Sequence, residues 1–285
     1  MIDYTTINFD EFITTALKED VGEGDHTSLS CIPTGSLGAA QLIIKQEGIL
    51  AGIELSKKIF ALVDASLEVD YFLEDGTTVK NGEIAFKLKG NVHSILIAER
   101  LVLNCMQRMS GIATVTNEVA IKIANYKTKV LDTRKTTPGL RMLEKWAVKI
   151  GGGVNHRIGL YDMILIKDNH VDYAGGIQQA IHAAIAYKVR NPHLKDLKIE
   201  IETRNIEEVQ KVMDQGGVDR IMLDNFSFED LKKATALING KFVTEASGGI
   251  TLENVIQYAD CNVDFVSMGA LTHSVKSIDM SLKAI

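Results

Sequence analysis

The chain has 285 residues, 46% apolar and 24% charged, with 31 Lys and Arg against 37 Asp and Glu and a formal net charge of -6. That length holds one large domain or two ordinary ones, and the acidic balance argues against a broad nucleic-acid surface. No run of about 18 apolar residues is present, and the opening MIDYTTINFDEF has neither a basic nor an apolar signal segment, so neither a transmembrane helix nor a secretory signal is expected.

Cys31, Cys105 and Cys261 are odd in number and far apart. They read as reduced structural thiols, which suits a cytoplasmic protein better than a disulfide frame or a zinc site.

A helical pattern covers residues 9–19, and Asp-Val-Gly-Glu-Gly-Asp-His-Thr at 20–27 breaks it. Asp25 or Thr27 is placed to cap whatever follows. Residues 39–89 turn to strands. Two are expected around a Gly-containing turn at 39–52, then a helix at 54–63, then β-rich runs punctuated by Asp75-Gly76 and Asn81-Gly82. This predicts a small α+β domain. A helix follows at 94–124, with a break or bend expected near Ser110-Gly111.

The pattern then alternates. Strands are predicted at 129–132, 163–166, 197–202, 219–224, 242–245 and 263–267. Helices are predicted at 140–150, 177–189, 206–214, 228–238 and 252–258. Such alternation implies a parallel sheet with covered faces, either doubly wound or a TIM-type barrel. Polar residues stand at each predicted strand end: Asp132 with Arg134, Lys167, Glu202, Asp224, Glu245 and Ser267. An open sheet gathers ligand groups at one switch point, whereas a barrel spreads them over many strand ends. The spread favours an incomplete α/β barrel of six or seven strands. Neither a dinucleotide fingerprint nor a Walker A sequence is present.

From Arg134 to Lys167 the acidic chain carries seven Lys or Arg against two acids, Glu144 and Asp162. A local positive island of this kind suits a compact anion. Arg134 and Lys135 follow a strand directly, and arginine grips carboxylate in a planar fork. His156 and Arg157 follow Gly151-Gly-Gly, where backbone can approach a ligand closely. Lys167 ends the apolar run Met163-Ile-Leu-Ile, so it needs an anion or a depressed pKa, or else an ion pair with Asp168. Glu202 and Asp224, on neighbouring strands, can hold a hydrated Mg²⁺ or sugar hydroxyls, or can pair with the basic island. Ser247-Gly248-Gly249-Ile250-Thr251 joins a strand to a helix whose N-terminus would help hold a phosphate, with Gly269 one strand further on. Arg141, Lys145 and Lys149 are spaced along a helix and read as a solvated or interface face. Together these groups describe a sugar phosphate meeting an acidic small molecule.

Longer motifs sharpen this. Glu19-Asp-Val-Gly-Glu-Gly-Asp-His-Thr, Ala98-Glu-Arg-Leu-Val-Leu-Asn, Asp132-Thr-Arg-Lys-Thr-Thr-Pro-Gly-Leu-Arg, Gly151-Gly-Gly-Val-Asn-His-Arg, Leu165-Ile-Lys-Asp-Asn-His, Leu223-Asp-Asn, Glu245-Ala-Ser-Gly-Gly-Ile and Ser267-Met-Gly resemble the quinolinate phosphoribosyltransferases nearly end to end. The resemblance implies an N-terminal α/β domain at 1–110, a partial barrel at 111–270 and a C-terminal helix at 271–285 packing back on the first domain. It implies transfer of phosphoribosyl from 5-phosphoribosyl 1-pyrophosphate to quinolinate with loss of CO₂, in the presence of Mg²⁺, by a homodimer or hexamer. Residue by residue it implies that Arg134, Lys135, His156, Arg157 and Lys167 hold quinolinate, with Arg100 supplied by a neighbouring subunit. Glu202 and Asp224 would serve the ribose and metal side, and Ser247, Gly248, Gly249 and Gly269 the phosphates. Lys167, Glu202 and Asp224 form the implied catalytic set. Glu200 competes with Glu202, since both lie on one strand face; Glu202 is nearer the strand's end.

Three other readings stand beside it. A molybdenum-associated paralogue would use a different acceptor, against which the intact Asn155-His-Arg and Lys167-Asp-Asn-His count. A Schiff-base aldolase would use Lys167 as its amine. A non-enzymatic module would bind the sugar phosphate without releasing pyrophosphate.

Overall fold

The computed structural model describes residues 2–285, which divide into two compact units. The first comprises the chain to Asn117 together with Leu143–Gly152 and Ser274–Ile285; the second comprises Glu118–Met142 and Gly153–His273.

In the first unit, helices α1 (Asp10–Val21) and α2 (His26–Cys31) precede β1 (Leu37–Ile44), β2 (Gly48–Ile49), α3 (Ile53–Val63), β3 (Glu68–Tyr71), β4 (Thr78–Val79) and β5 (Ile84–Asn91). The long α4 (Val92–Lys122) begins here, and most of α5 (Arg141–Ile150) belongs here. Asp25 caps α2, accepting from the Ser28 N–H at 3.0 Å. The expected pair of strands at 39–52 does not form a hairpin. β1 pairs antiparallel with β5, while β2 pairs with β4 in a separate two-stranded ribbon.

The chain's end, expected as a helix, instead forms a strand (the twelfth, Met280–Ala284) that pairs antiparallel with β1. The reason is a period of two, with Met280 and Leu282 buried and Lys283 exposed between β1 partners. The four-stranded sheet therefore runs in the order C-terminal strand, β1, β5, β3.

α4 also departs from expectation, because it is continuous through Ser110-Gly111. Ser110 Oγ accepts from the Ala51 N–H at 2.9 Å, and a Cβ at Gly111 would overlap the Lys276 carbonyl. These small residues admit close backbone approach without breaking the helix. Of the α5 cations expected on a solvated or interface face, Lys149 is exposed and Arg141 partly so, but Lys145 is wholly inside and Leu143 to Val148 are all buried. Glu144 is met by Arg108 at 2.5 Å, and Trp146 stacks against Tyr4 and Phe9.

The second unit alternates strand and helix: β6 (Lys129–Leu131), β7 (Ile164–Ile166), α6 (Asp168–Ala174), α7 (Ile177–Arg190), β8 (Ile199–Thr203), α8 (Ile206–Gln215), β9 (Arg220–Asp224), α9 (Phe228–Ile238), β10 (Val243–Ser247), α10 (Val255–Ala259), β11 (Phe265–Ser267) and α11 (Ala270–His273). The C-terminal strand, Met280–Ala284, is β12. The six strands are parallel, ordered β6-β11-β10-β9-β8-β7. This is the incomplete barrel the alternation implied, with six strands. Sequence neighbours pair throughout except β6 and β7, which leave the sheet open between them.

Candidate active site

The segment between β6 and β7 carries four of the basic candidates, Arg134, Lys135, His156 and Arg157. Asp132, fully buried at the end of β6, accepts from Asn155 Nδ2 at 2.7 Å and from the His156 N–H at 2.9 Å. Val154 extends the sheet by a single bridge to Leu131. Arg157 Nη1 then donates to the Met163 carbonyl at 3.2 Å, just before β7. Asp162 fastens the intervening turn by accepting from the Ile158 and Gly159 N–H groups at 2.7 and 2.8 Å. His156 and Arg157 are therefore strung between two strand ends, although no strand carries them.

At these strand ends a cavity of about 830 Å³ opens, large for one small metabolite and sufficient for two. Its wall includes Arg134, Lys135, His156, Arg157 and Lys167 on the basic side and Glu202 and Asp224 on the acidic side. Ser247, Gly248, Gly249 and Gly269 complete it. Every candidate named from the sequence lies in this one wall except Arg100, which sits exposed on α4 in the other unit. Glu202 faces the cavity; Glu200, two residues deeper on β8, is wholly buried beneath it.

Electrostatics follow from this crowding. Burial and the neighbouring Arg134 hold the Arg157 guanidinium below its usual range. Burial raises the Glu202 carboxyl, opposed by Lys167 and reinforced by Asp224 and Asp168. Although it ends the apolar run Met163-Ile-Leu-Ile, Lys167 is exposed, and its side chain keeps half its accessible surface. It pairs with Glu202 at 3.5 Å, and no bond to Asp168 is needed to place it. The Thr272 hydroxyl donates to the Lys135 carbonyl at 2.8 Å, holding Lys135 beside Gly269.

The phosphate loop differs in one respect from the sequence reading. α10 begins only at Val255 and is five residues long, so a helix dipole contributes little. The anion-binding feature is the loop itself, where Gly248 and Gly249 take φ of +96° and +62° and can turn successive N–H groups inward. A Cβ at Gly248 would overlap Asn225 Oδ1.

Asn225, His273 and Glu245 also line the cavity. Asn225 adopts φ +56° and donates to Asp224 Oδ2 at 2.5 Å, a position signalled only by its place in Leu223-Asp-Asn. His273 lies in a four-residue helix after Gly269 and gave no periodic signal. Glu245 had been noted only as a polar strand end.

A partial parallel barrel with cations, carboxylates and a glycine loop converging at its strand ends defines an enzyme that binds an anionic substrate beside a phosphorylated one. The C-terminal domain model of quinolinate phosphoribosyl transferase matches residues 112–283, and the N-terminal domain model matches residues 25–110. The chain belongs to this family. It is 47% identical over 295 aligned residues to "Quinolinate phosphoribosyltransferase [decarboxylating] 2b, mitochondrial" of Nicotiana tabacum, covering 98% of this chain and 83% of the relative. It is 43% identical to the probable nicotinate-nucleotide pyrophosphorylase [carboxylating] of Bacillus subtilis, covering 93% and 89%. The solved nicotinate-nucleotide pyrophosphorylase of Francisella tularensis superposes with a TM-score of 0.91 at 38% identity over the whole of both chains.

Proposed function

We propose that this chain transfers phosphoribosyl from 5-phosphoribosyl 1-pyrophosphate to quinolinate with decarboxylation, giving nicotinate mononucleotide, pyrophosphate and CO₂ for NAD biosynthesis. The observation that carries this reading is the division of one cavity wall into a basic side, an acidic side and a glycine loop. A pyridine dicarboxylate matches the first, a ribose the second and a phosphate the third.

On this reading Arg134, Arg157, Lys135 and Lys167 hold the two carboxylates of quinolinate. Glu202 and Asp224 face the ribose and stabilise positive charge at C1 as its bond to pyrophosphate breaks. The ring nitrogen supplies the pair that forms the new bond to C1 and becomes cationic. The bond between C2 and its carboxylate then breaks, and its electron pair rests on the carbon beside N⁺ until a proton replaces CO₂. The protein's part is orientation and fixed electrostatics, each contributing several kcal/mol.

The family implies Mg²⁺, and the donor set fits it. Glu202 and Asp224 are hard oxygen ligands on adjacent strands, and their mutual repulsion is of the kind a cation relieves. They would hold the ion, directly or through water, where it would neutralise charge on the leaving pyrophosphate. The active form is a homodimer or a hexamer in which Arg100, exposed on α4, enters a neighbour's site. A cytoplasmic location accords with three free thiols.

Release of CO₂ and pyrophosphate from quinolinate, with nicotinate as control acceptor, tests the assignment. Stoichiometric release with quinolinate alone supports it; equal use of nicotinate refutes it.

A further inference from the structure

At the floor of the cavity and beneath it lies a charged cluster that the proposed reaction does not use. Glu200 of β8 and Glu245 of β10 are both fully buried, flanking Arg220 of β9. Arg220 Nη1 is 2.7 Å from Glu245 Oε2 and 3.7 Å from Glu200 Oε2, and its guanidinium lies 4.6 Å over the Phe265 ring. The two carboxylates and His156 could bring three donors within 4.8 Å of one another, as a metal centre would. Arg220 already supplies the positive charge there, so the cluster needs no ion.

His156 stands directly on this cluster. Its Nε2 is buried, 3.1 Å from Glu200 Oε2 and 3.6 Å from Glu245 Oε2. Nε2 carries the neutral ring's one proton, because Nδ1 is occupied as an acceptor. Its Nδ1 accepts from the Arg157 N–H at 2.7 Å and therefore keeps its lone pair. Neither nitrogen is left to receive a substrate carboxylate, although the residue lines the cavity. Arg157 is tied to it on one side and to the Met163 carbonyl on the other.

We infer that Glu200, Glu245 and Arg220 form a buried pillar that fixes His156 as the neutral Nε2–H tautomer, so that His156 positions Arg157 and does not itself pair with the substrate's carboxylate. This rests on the quinolinate reading for its functional half only, since the tautomer belongs to the free protein. It revises the place the family resemblance gave His156, from a cationic ligand to a strut. The quinolinate-facing cations are then Arg134, Lys135, Arg157 and Lys167, and Glu200, Glu245 and Arg220 become positioning residues.

The decisive experiment is ¹⁵N NMR of the full-length, histidine-labelled protein, free and saturated with quinolinate, with the His156 signals assigned by loss in His156→Asn. Two unequal nitrogen shifts, Nε2 protonated and Nδ1 not, unchanged by quinolinate, are expected. An imidazolium pattern in either state overturns the inference.

Kinetics give the second readout. Asparagine can offer an acceptor near the Nδ1 position, so loss of the remaining neutral contacts in His156→Asn should raise KM for quinolinate about 5- to 10-fold. A rise of about 100-fold or more, as expected when a charge pair to substrate is removed, overturns the inference. Glu200→Ala should raise the same KM about 10-fold, with Glu200→Gln recovering most of that loss because its amide keeps the shape and an oxygen packed against Nε2. Equal loss in both Glu200 variants overturns the strut. If wild type fails to consume quinolinate, the substrate reading fails while the tautomer result stands on its own.

Discussion

Lys167 Nζ lies 3.5 Å from Glu202 Oε2 across the β7–β8 pair, joining the basic and acidic sides of the cavity through one loose contact. The lysine side chain is 51% exposed, so the pair adds little to stability. A substrate carboxylate can therefore draw Lys167 away from Glu202 at small cost. Lys167→Ala is expected to lower turnover by about 100-fold or more while changing folding stability by no more than about 1 kcal/mol. Arg134→Ala should do the same. Nicotinate mononucleotide formation, measured beside urea unfolding, checks both; near-normal formation by either variant would refute the assignment.

Glu202 and Asp224 are expected to set the Mg²⁺ requirement. Glu202→Gln and Asp224→Asn remove one negative charge each from the acidic side, so the Mg²⁺ concentration giving half-maximal rate should rise about 10-fold or more in each. Chelation of Mg²⁺ should silence wild type reversibly. Titrating Mg²⁺ at fixed substrate concentrations checks this, and an unchanged requirement in both variants would remove these residues from the metal side.

Much of this architecture was legible because it rests on periodicity. The six β-rich runs and the helices between them reappear within a few residues, and Arg134, Lys167, Glu202, Asp224 and Ser247 were visible at strand ends as possible ligands. What escaped the sequence depended on three-dimensional neighbours. The C-terminal strand was missed because its partner, β1, lies more than 200 residues earlier. Ser110-Gly111 looked like a break because the backbones of Ala51 and Lys276 that press against it are remote in sequence. Lys145 looked solvated because helical spacing does not reveal that residues 143–148 of α5 are buried on every face. Glu200 and Glu202 share a strand face, and only their depth separates a buried strut from a cavity wall.

Gly248 is a point where backbone geometry and function meet. Its φ of +96° is strained for any side chain, and a Cβ there would overlap Asn225 Oδ1 and come within 3.1 Å of the Asn225 nitrogen. Gly248→Ala should therefore displace the loop and Asn225 together, raising KM for 5-phosphoribosyl 1-pyrophosphate about 10-fold or more with a smaller effect on quinolinate. Separate KM determinations check this. A larger change for quinolinate would place the glycine loop on the wrong substrate.

Arg100 should act on a neighbour's site. Arg100→Ala and Lys167→Ala are each expected to be nearly inactive alone. If they are unfolded together and refolded as a mixture, half of the dimers pair one variant with the other. In those, one site regains both groups, so about a quarter of wild-type activity should return. No recovery, with mixed dimers shown by mass spectrometry, would mean that Arg100 serves its own chain or none.

Glu245 gives stability a dependence on pH. Burial first, and then the adjacent Glu200, raise its carboxyl to about 7. The folded state therefore holds a proton that the unfolded chain, with an ordinary glutamate value, releases earlier. Between roughly pH 4.5 and 7 the native state binds more protons, so this group's contribution makes stability fall as pH rises. The contribution is fully present below the unfolded value and lost through the folded one. Glu245→Gln keeps the shape and removes the ionisation, so it should flatten that slope. Relative to wild type, the variant should gain about 1–3 kcal/mol on going from pH 5 to pH 8, read from urea midpoints at the two pH values. Parallel pH dependences in variant and wild type would show that the Glu245 carboxyl does not ionise across this range.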